Sequence, residues 1–193
     1  MMFQSEISKE AVAELDLIQF EGPIHLIDSV ESFYEAIPHM ASAPILGIDT
    51  ETRPSFKKGT MYPTSLIQLS TLEESWILRV SRIGYPKELL KLLSEEHPLK
   101  VGLSLHDDLR RLRSDFQFEP QGFLDLQQYV EAFRIEEKGL KKLSGIVLGR
   151  RISKSQQVSN WDADLLTEAQ LRYAATDAWI CLKIYYKLRE SIQ

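Results

Sequence analysis

Two carboxylates close the run Ile45-Leu46-Gly47-Ile48-Asp49-Thr50-Glu51, and their i, i+2 spacing puts both on one face if the run is a strand. Two buried like charges are costly unless a positive group offsets them, and hard carboxylate oxygens suit Mg²⁺ or Mn²⁺. A competing reading leaves Asp49 and Glu51 in the loop after the strand, where they merely solvate it. A second acidic place is His106-Asp107-Asp108. On a helix beginning there, at about 100° per residue, Asp108 lies over Leu112 near the stripe of Leu109 and Phe116, so it faces the sheet. Asp107 shares a side with Arg111 and is accounted for by an i, i+4 ion pair or by the helix dipole. The third place is Tyr173 and Asp177, four apart on the edge of a helix whose buried stripe is Leu171, Ala174, Ala175, Ala178, Leu182 and Tyr185. Taken singly, each has a plain explanation: a helix-start acid, a packed tyrosine with a wet hydroxyl, a solvated aspartate.

What must position these residues is an alternation of strands and helices. Ile24–Ile27 reads as a short strand, and Ser29 caps a helix to about Met40 that turns Val30, Phe33 and Ile37 inward. The unbroken apolar run before Asp49 predicts a strand buried on both faces. Pro54, Lys57, Lys58 and Gly59 then mark a polar, basic loop, followed by strands at residues 65–70 and 76–80 whose short connections predict antiparallel pairing. Pro86 opens a helix burying Leu89, Leu90 and Leu93. A strand over 100–105 leads into the helix carrying Asp108, and 123–126 is a further strand. Helical material runs to Phe133, and Leu140–Leu148 ends at Gly149. Residues 150–161, with Arg150, Arg151 and Lys154 and no acid, read as a mobile basic loop, and the last helix runs from Thr167 to Glu190. This order predicts an α/β domain: a mixed five- to six-stranded sheet with helices on both faces, in which ligands gather at the carboxyl ends of the central strands. Residues 1–22 are expected to form an N-terminal arm, with 9–20 either a short helix or loosely docked, ahead of a single domain over 23–193.

Asp49-Thr50-Glu51 after a buried strand, Asp108 at a strand-to-helix junction and Tyr173-Ala174-Ala175-Thr176-Asp177 on the last helix together resemble the DEDD superfamily of 3′→5′ exonucleases, in its tyrosine subtype. Val101-Gly102-Leu103-Ser104-Leu105 leading to Asp108, and Ser159-Asn160-Trp161 ahead of Leu166-Thr167-Glu168, look most like the Werner-type exonuclease domain, with ribonuclease D next. Three motifs in order are specific where each alone is not. The resemblance implies a ribonuclease H-like fold with Asp49, Glu51, Asp108, Tyr173 and Asp177 as the catalytic residues. The four carboxylates would hold two divalent cations, Mg²⁺ or Mn²⁺, about 3.5–4 Å apart, and Tyr173 would orient the attacking water. The implied reaction releases nucleoside 5′-monophosphates from nucleic acid 3′ ends, with DNA the favoured polymer. The alternatives are an RNA 3′-end processing enzyme of the ribonuclease D kind and a non-catalytic nucleic-acid-binding module, which would be expected to have lost a ligand.

Substrate contacts are expected around these motifs. Family members often carry a bulky residue just after the first-motif Glu; here Thr52 and Arg53 stand there, with Phe56, Met61 and Tyr62 as substitutes. Thr50, His106 and Trp161 neighbour the motifs. Lys57, Lys58, Arg150, Arg151 and Lys154 are the expected phosphate contacts, the other reading of each being plain surface charge. Arg110, Arg111 and Arg113 are expected to solvate the outer side of their helix, and Cys181 to be a small core residue.

At 193 residues, 44% hydrophobic and 26% charged, the chain needs no second domain. A net charge of −5 argues against coating nucleic acid electrostatically and leaves room for local basic patches. The single cysteine excludes an intrachain disulfide framework and a cysteine-rich zinc site, and it suits a reducing compartment. No stretch resembles a signal peptide or reaches the roughly 18 apolar residues of a membrane span, so a cytoplasmic protein that binds no membrane is expected. Without the helicase region or the helical C-terminal domains of the families it resembles, a stand-alone nuclease domain would hold substrate weakly. A second copy of the chain or an accessory protein is then the expected source of grip.

Overall fold

The strand carrying Asp49 and Glu51 lies in the middle of the molecule, and the sheet is built outward from it. The structure, a computed structural model, describes residues 3–55 and 62–192. In chain order the elements are α1 (Lys9–Ala13), β1 (Ile24–Ile27), α2 (Val30–Ser42), β2 (Ile45–Thr52), β3 (Thr64–Ser70), β4 (Ser75–Leu78), α3 (Val80–Ile83), α4 (Lys87–Ser94), β5 (Leu99–Gly102), α5 (Leu105–Asp115), β6 (Phe123–Asp125), α6 (Leu126–Tyr129), α7 (Leu140–Leu148) and α8 (Glu168–Glu190). The six strands form one mixed sheet in the order β1-β4-β3-β2-β5-β6. β2–β3 and β3–β4 pair antiparallel, while β1–β4, β2–β5 and β5–β6 pair parallel.

Both faces of the sheet are covered, which is why β3 shows no polar alternation and is buried along its whole length. On one face α7 and α8 pack Leu143, Val147, Ala174, Ala175 and Leu182 against Leu66, Ile77 and Val101. On the other, Phe33 and Met40 of α2, Leu89 and Leu93 of α4 and Leu105 and Leu112 of α5 meet Leu46, Ile48, Ile67 and Leu69. The ribonuclease H-like arrangement expected from the resemblance is the one observed.

Four local expectations are corrected. Val30 and Phe116, placed on buried stripes by periodicity, are both 45% exposed. Val30 is the first residue of α2, and Phe116 lies past the last turn of α5, stacked on Tyr85, so neither follows a helical stripe. The strand expected over 100–105 ends at Gly102, because Ser104 takes a left-handed conformation (φ 60°) and α5 starts at Leu105. Asp107 pairs with Arg110 at 3.1 Å; Arg111 instead donates to the carbonyl of Tyr62 and lies close enough to Asp108 to stabilise its anion. Residues 150–161 are not a free loop: Ile152 and Trp161 are buried, and Arg151 bridges Leu17.

The N-terminal stretch is docked rather than trailing. Val12 and Phe20 are buried, the Phe20 N–H donates to Thr176 Oγ1, and Arg172 donates to the Phe20 carbonyl. Among the described residues no helix is long and apolar enough to cross a membrane.

Candidate active site

Alternation along β2 fixes which residues share the site. Gly47, Asp49 and Glu51 face α8, whereas Leu46, Ile48 and Thr50 face α5. α8 can lie close to β2 because Gly47 carries no side chain: a Cβ there would sit 2.0 Å from the Ala178 carbonyl oxygen. That close approach brings Asp177 beside the strand. Oxygens of Asp49, Glu51 and Asp177 all lie within 4.8 Å of one another, with Asp177 buried and the other two partly so.

Asp108 reaches the same strand end from the opposite face. Its carboxylate accepts a 2.8 Å hydrogen bond from Thr50 Oγ1, so Thr50 links the second motif to the first. The turn that delivers Asp108 is held by Asp125 at the end of β6, which accepts from the Ser104 N–H (3.1 Å), the Leu105 N–H (2.8 Å) and the Gln127 N–H (2.8 Å). One carboxylate thereby caps α5 and α6 and holds Ser104 in a conformation that non-glycine residues rarely adopt.

Burial raises the proton affinity of every ligand in this cluster, and repulsion between the ligands adds to it at Asp49 and Glu51. Burial pushes Glu51 up to about 9, with Asp177 and Asp108 adding to the effect. Asp49 is raised by burial and then by its three acidic neighbours. Asp177 rises to about 7, burial outweighing the Tyr173 hydroxyl and Lys154 that favour its anion. Asp108 rises to about 6 through burial, held down by the Thr50 hydrogen bond and by Arg111. Tyr173 is raised by burial and by the carboxylates, so its hydroxyl stays protonated and donates to Asp177. Such a set of hard oxygens, electrostatically unsatisfied as anions, fits divalent cations.

A model of the 3′→5′ exonuclease family matches residues 24–193. The chain belongs to this family of 3′→5′ exonucleases. Over 77% of this chain it is 32% identical to the bifunctional 3′-5′ exonuclease/ATP-dependent helicase WRN of Mus musculus. The Aedes aegypti Nibbler EXO domain superposes with a TM-score of 0.79 at 27% identity, covering 92% of each chain. Ribonuclease D of Escherichia coli superposes with a TM-score of 0.73 at 26% identity over 86% of this chain and 44% of that one. The chain spans 27%, 11% and 50% of the length of three curated relatives it matches.

The five residues expected to act together are brought to one place: Asp49, Glu51 and Asp177 as a cluster, Asp108 flanking it through Thr50, and Tyr173 on Asp177. The expected substrate contacts divide. Lys154 lines a cavity of about 420 Å³ with Tyr173 and Asp177. Thr52 ends β2 beside a bulge, and the exposed Arg53 lies over the Tyr62 ring at 5.0 Å. His106 is exposed on the outer side of α5, in a wide cleft with Arg110 and Arg113. Lys57, Lys58 and Met61, like Phe56, lie outside the described residues.

Three expected contacts are engaged within the protein. Trp161 is wholly buried with its ring 5.9 Å from that of Tyr173, so it walls the tyrosine in rather than meeting substrate. Arg150 pairs with Asp16, and Arg151 donates to the Leu15 carbonyl at 2.9 Å; both fasten the N-terminal segment. Two residues escaped the sequence reading. Asp125 offered no periodic signal, since its role depends on a turn 20 residues away. Gln68 stands directly opposite Asp49 on β3, buried, with neither amide atom partnered among the described residues. One amide inside the apolar run Thr64–Ser70 was its only mark in the sequence, and it leaves a donor and an acceptor beside the carboxylates.

Proposed function

We propose that the chain hydrolyses the 3′-terminal phosphodiester of nucleic acid, DNA in preference to RNA, using two divalent cations, Mg²⁺ or Mn²⁺, and releases nucleoside 5′-monophosphates. The convergence of Asp49, Glu51 and Asp177 within 4.8 Å carries this reading, because positive charge is what lets three such carboxylates ionise together. These three would hold one cation, and Asp108 would complete the set for a second. When bound, the cations supply a water nucleophile at neutral pH and neutralise charge on the leaving oxygen.

The protein's own part is placement. Tyr173, kept as a phenol and walled in by Trp161, has a hydroxyl fixed at the edge of the cluster, where it orients the attacking water. Lys154 and the half-enclosed cavity beside Asp177 suit a terminal nucleotide and its phosphate. Catalysis then comes from positioning and charge neutralisation. The preference for DNA follows the motif resemblance around residues 101–108 and 159–161.

The test is to incubate 5′-labelled DNA and RNA of one sequence, single-stranded and recessed, with Mg²⁺ or Mn²⁺, beside Asp108→Asn. Stepwise shortening from the 3′ end is expected, with a loss of at least about 100-fold in the variant. No shortening with either metal overturns the reading, and faster trimming of RNA replaces it with RNA 3′-end processing.

A further inference from the structure

A basic groove continues outward from the catalytic cavity. Gly139 and Lys154 line the cavity beside Asp177 and also a second one, of about 360 Å³, whose other walls are Lys9, Val12, Lys141 and Lys142. Four of these six residues are lysines, in a chain of net charge −5. They come from three segments remote in sequence: Lys9 from α1, Lys141 and Lys142 from the first turn of α7, and Lys154 from the segment after α7. Lys142 is paired with Glu137 and Lys154 lies near Asp177, whereas Lys9 and Lys141 make no ion pair among the described residues. The dipole of α7, which has no side-chain cap at Gly139, adds positive potential at the same end.

Lys9 is held there by packing. The Val12, Ile7 and Leu15 side chains approach α7 where Gly145 leaves room, and Asp16 and the Leu15 carbonyl are fastened by Arg150 and Arg151. The family model matches from residue 24, so Lys9 lies outside the matched stretch. Collecting like charges costs repulsion, which a polyanion along the groove would relieve.

We propose that this groove binds the phosphodiester backbone of the substrate strand upstream of its 3′ end, with the N-terminal segment supplying Lys9 as part of the grip. The proposal rests on the exonuclease reading for the position of the 3′ end. It explains how a small acidic domain retains a strand between cleavage events: the contacts are to phosphate, independent of base and sugar.

The experiment compares kcat/KM on a trinucleotide and on strands of about 20 nucleotides, as DNA and as RNA, for the wild type, the double variant Lys9→Glu/Lys141→Glu, its milder form Lys9→Gln/Lys141→Gln, and Lys87→Glu on the opposite face of the sheet as a charge control. Melting temperatures of all four establish that they fold. The long-to-short ratio should fall about tenfold in the Glu double variant, through KM, and hold in the control; in the Gln form the salt dependence of KM should flatten by about 0.7 per lysine. Folded double variants whose ratio stays within about twofold of wild type overturn the groove and leave the exonuclease reading intact. A wild type that cleaves neither polymer overturns the exonuclease reading instead. Fluorescence anisotropy of the same labelled strands then judges the groove, where loss of both lysines must still cost about tenfold in affinity.

Discussion

At the scale of single residues, the site depends on groups outside the carboxylate cluster. Asp125 is the clearest case: its carboxylate satisfies three backbone N–H groups and fixes the left-handed Ser104 from which α5 departs toward Asp108. Asp125→Ala should lower stability by about 1–2 kcal/mol, the value of a helix cap, and reduce kcat roughly tenfold by loosening Asp108. Asp125→Asn keeps an acceptor and should recover part of both losses. Thermal melts and single-turnover cleavage check this together; normal activity in a destabilised Ala variant would remove the link from cap to ligand. Thr50 illustrates how a strand's two faces cooperate: its neighbours serve one side of β2 while its hydroxyl holds the ligand arriving from the other.

Among elements, the decisive contact is α8 against β2. Asp177 reaches Asp49 and Glu51 because the helix backbone touches the strand at Gly47, where Ala178 is also small. Gly47→Ala would drive a methyl group into the Ala178 carbonyl, and the helix must shift. Overpacking of this kind costs about 1–3 kcal/mol, and a shift approaching 1 Å at Asp177 would lower kcat by roughly 100-fold. Melting and steady-state kinetics read both effects; an Ala variant with wild-type kcat would show that α8 adjusts without moving its ligand. β3 contributes from the other side, with Gln68 paired to Asp49 across the ladder.

For the whole molecule, the cluster sets how stability responds to pH and metal. Glu51 near 9, Asp177 near 7 and Asp108 near 6 all lie above the value of about 4 that each has in an unfolded chain. The folded protein therefore holds protons that the unfolded chain has released, so stability falls as pH rises from about 5 to 9. Metal-free melting temperatures should drop across that window by roughly 3–10 °C, corresponding to about 1–3 kcal/mol. Mg²⁺ or Mn²⁺ should restore them, most strongly at the alkaline end, by binding only the folded form. Glu51→Gln should flatten the metal-free profile and abolish the metal response along with activity. A metal-free melting temperature that climbs steadily to pH 9 would contradict this balance of charge.

The alternation of apolar runs and amphipathic stretches determined the element order, and the i, i+2 and i, i+4 spacings of Asp49/Glu51 and Tyr173/Asp177 determined which faces those side chains would share, because strand and helix periodicities are local. Periodicity misled at element ends, as at Val30 and Phe116, and inside the helix Lys87–Ser94, where Leu92 is buried and Leu90 only half-buried. Contacts between remote segments were decided by the tertiary structure alone. Trp161, expected at the substrate, forms a wall for Tyr173; Arg150 and Arg151, expected at phosphates, fasten the N-terminal segment. A charge in a sequence carries no record of its partner. Which carboxylates meet, which cations stay free and which polar group remains unpaired follow from packing, and the paired acids of β2 become a site only when α8 closes on Gly47.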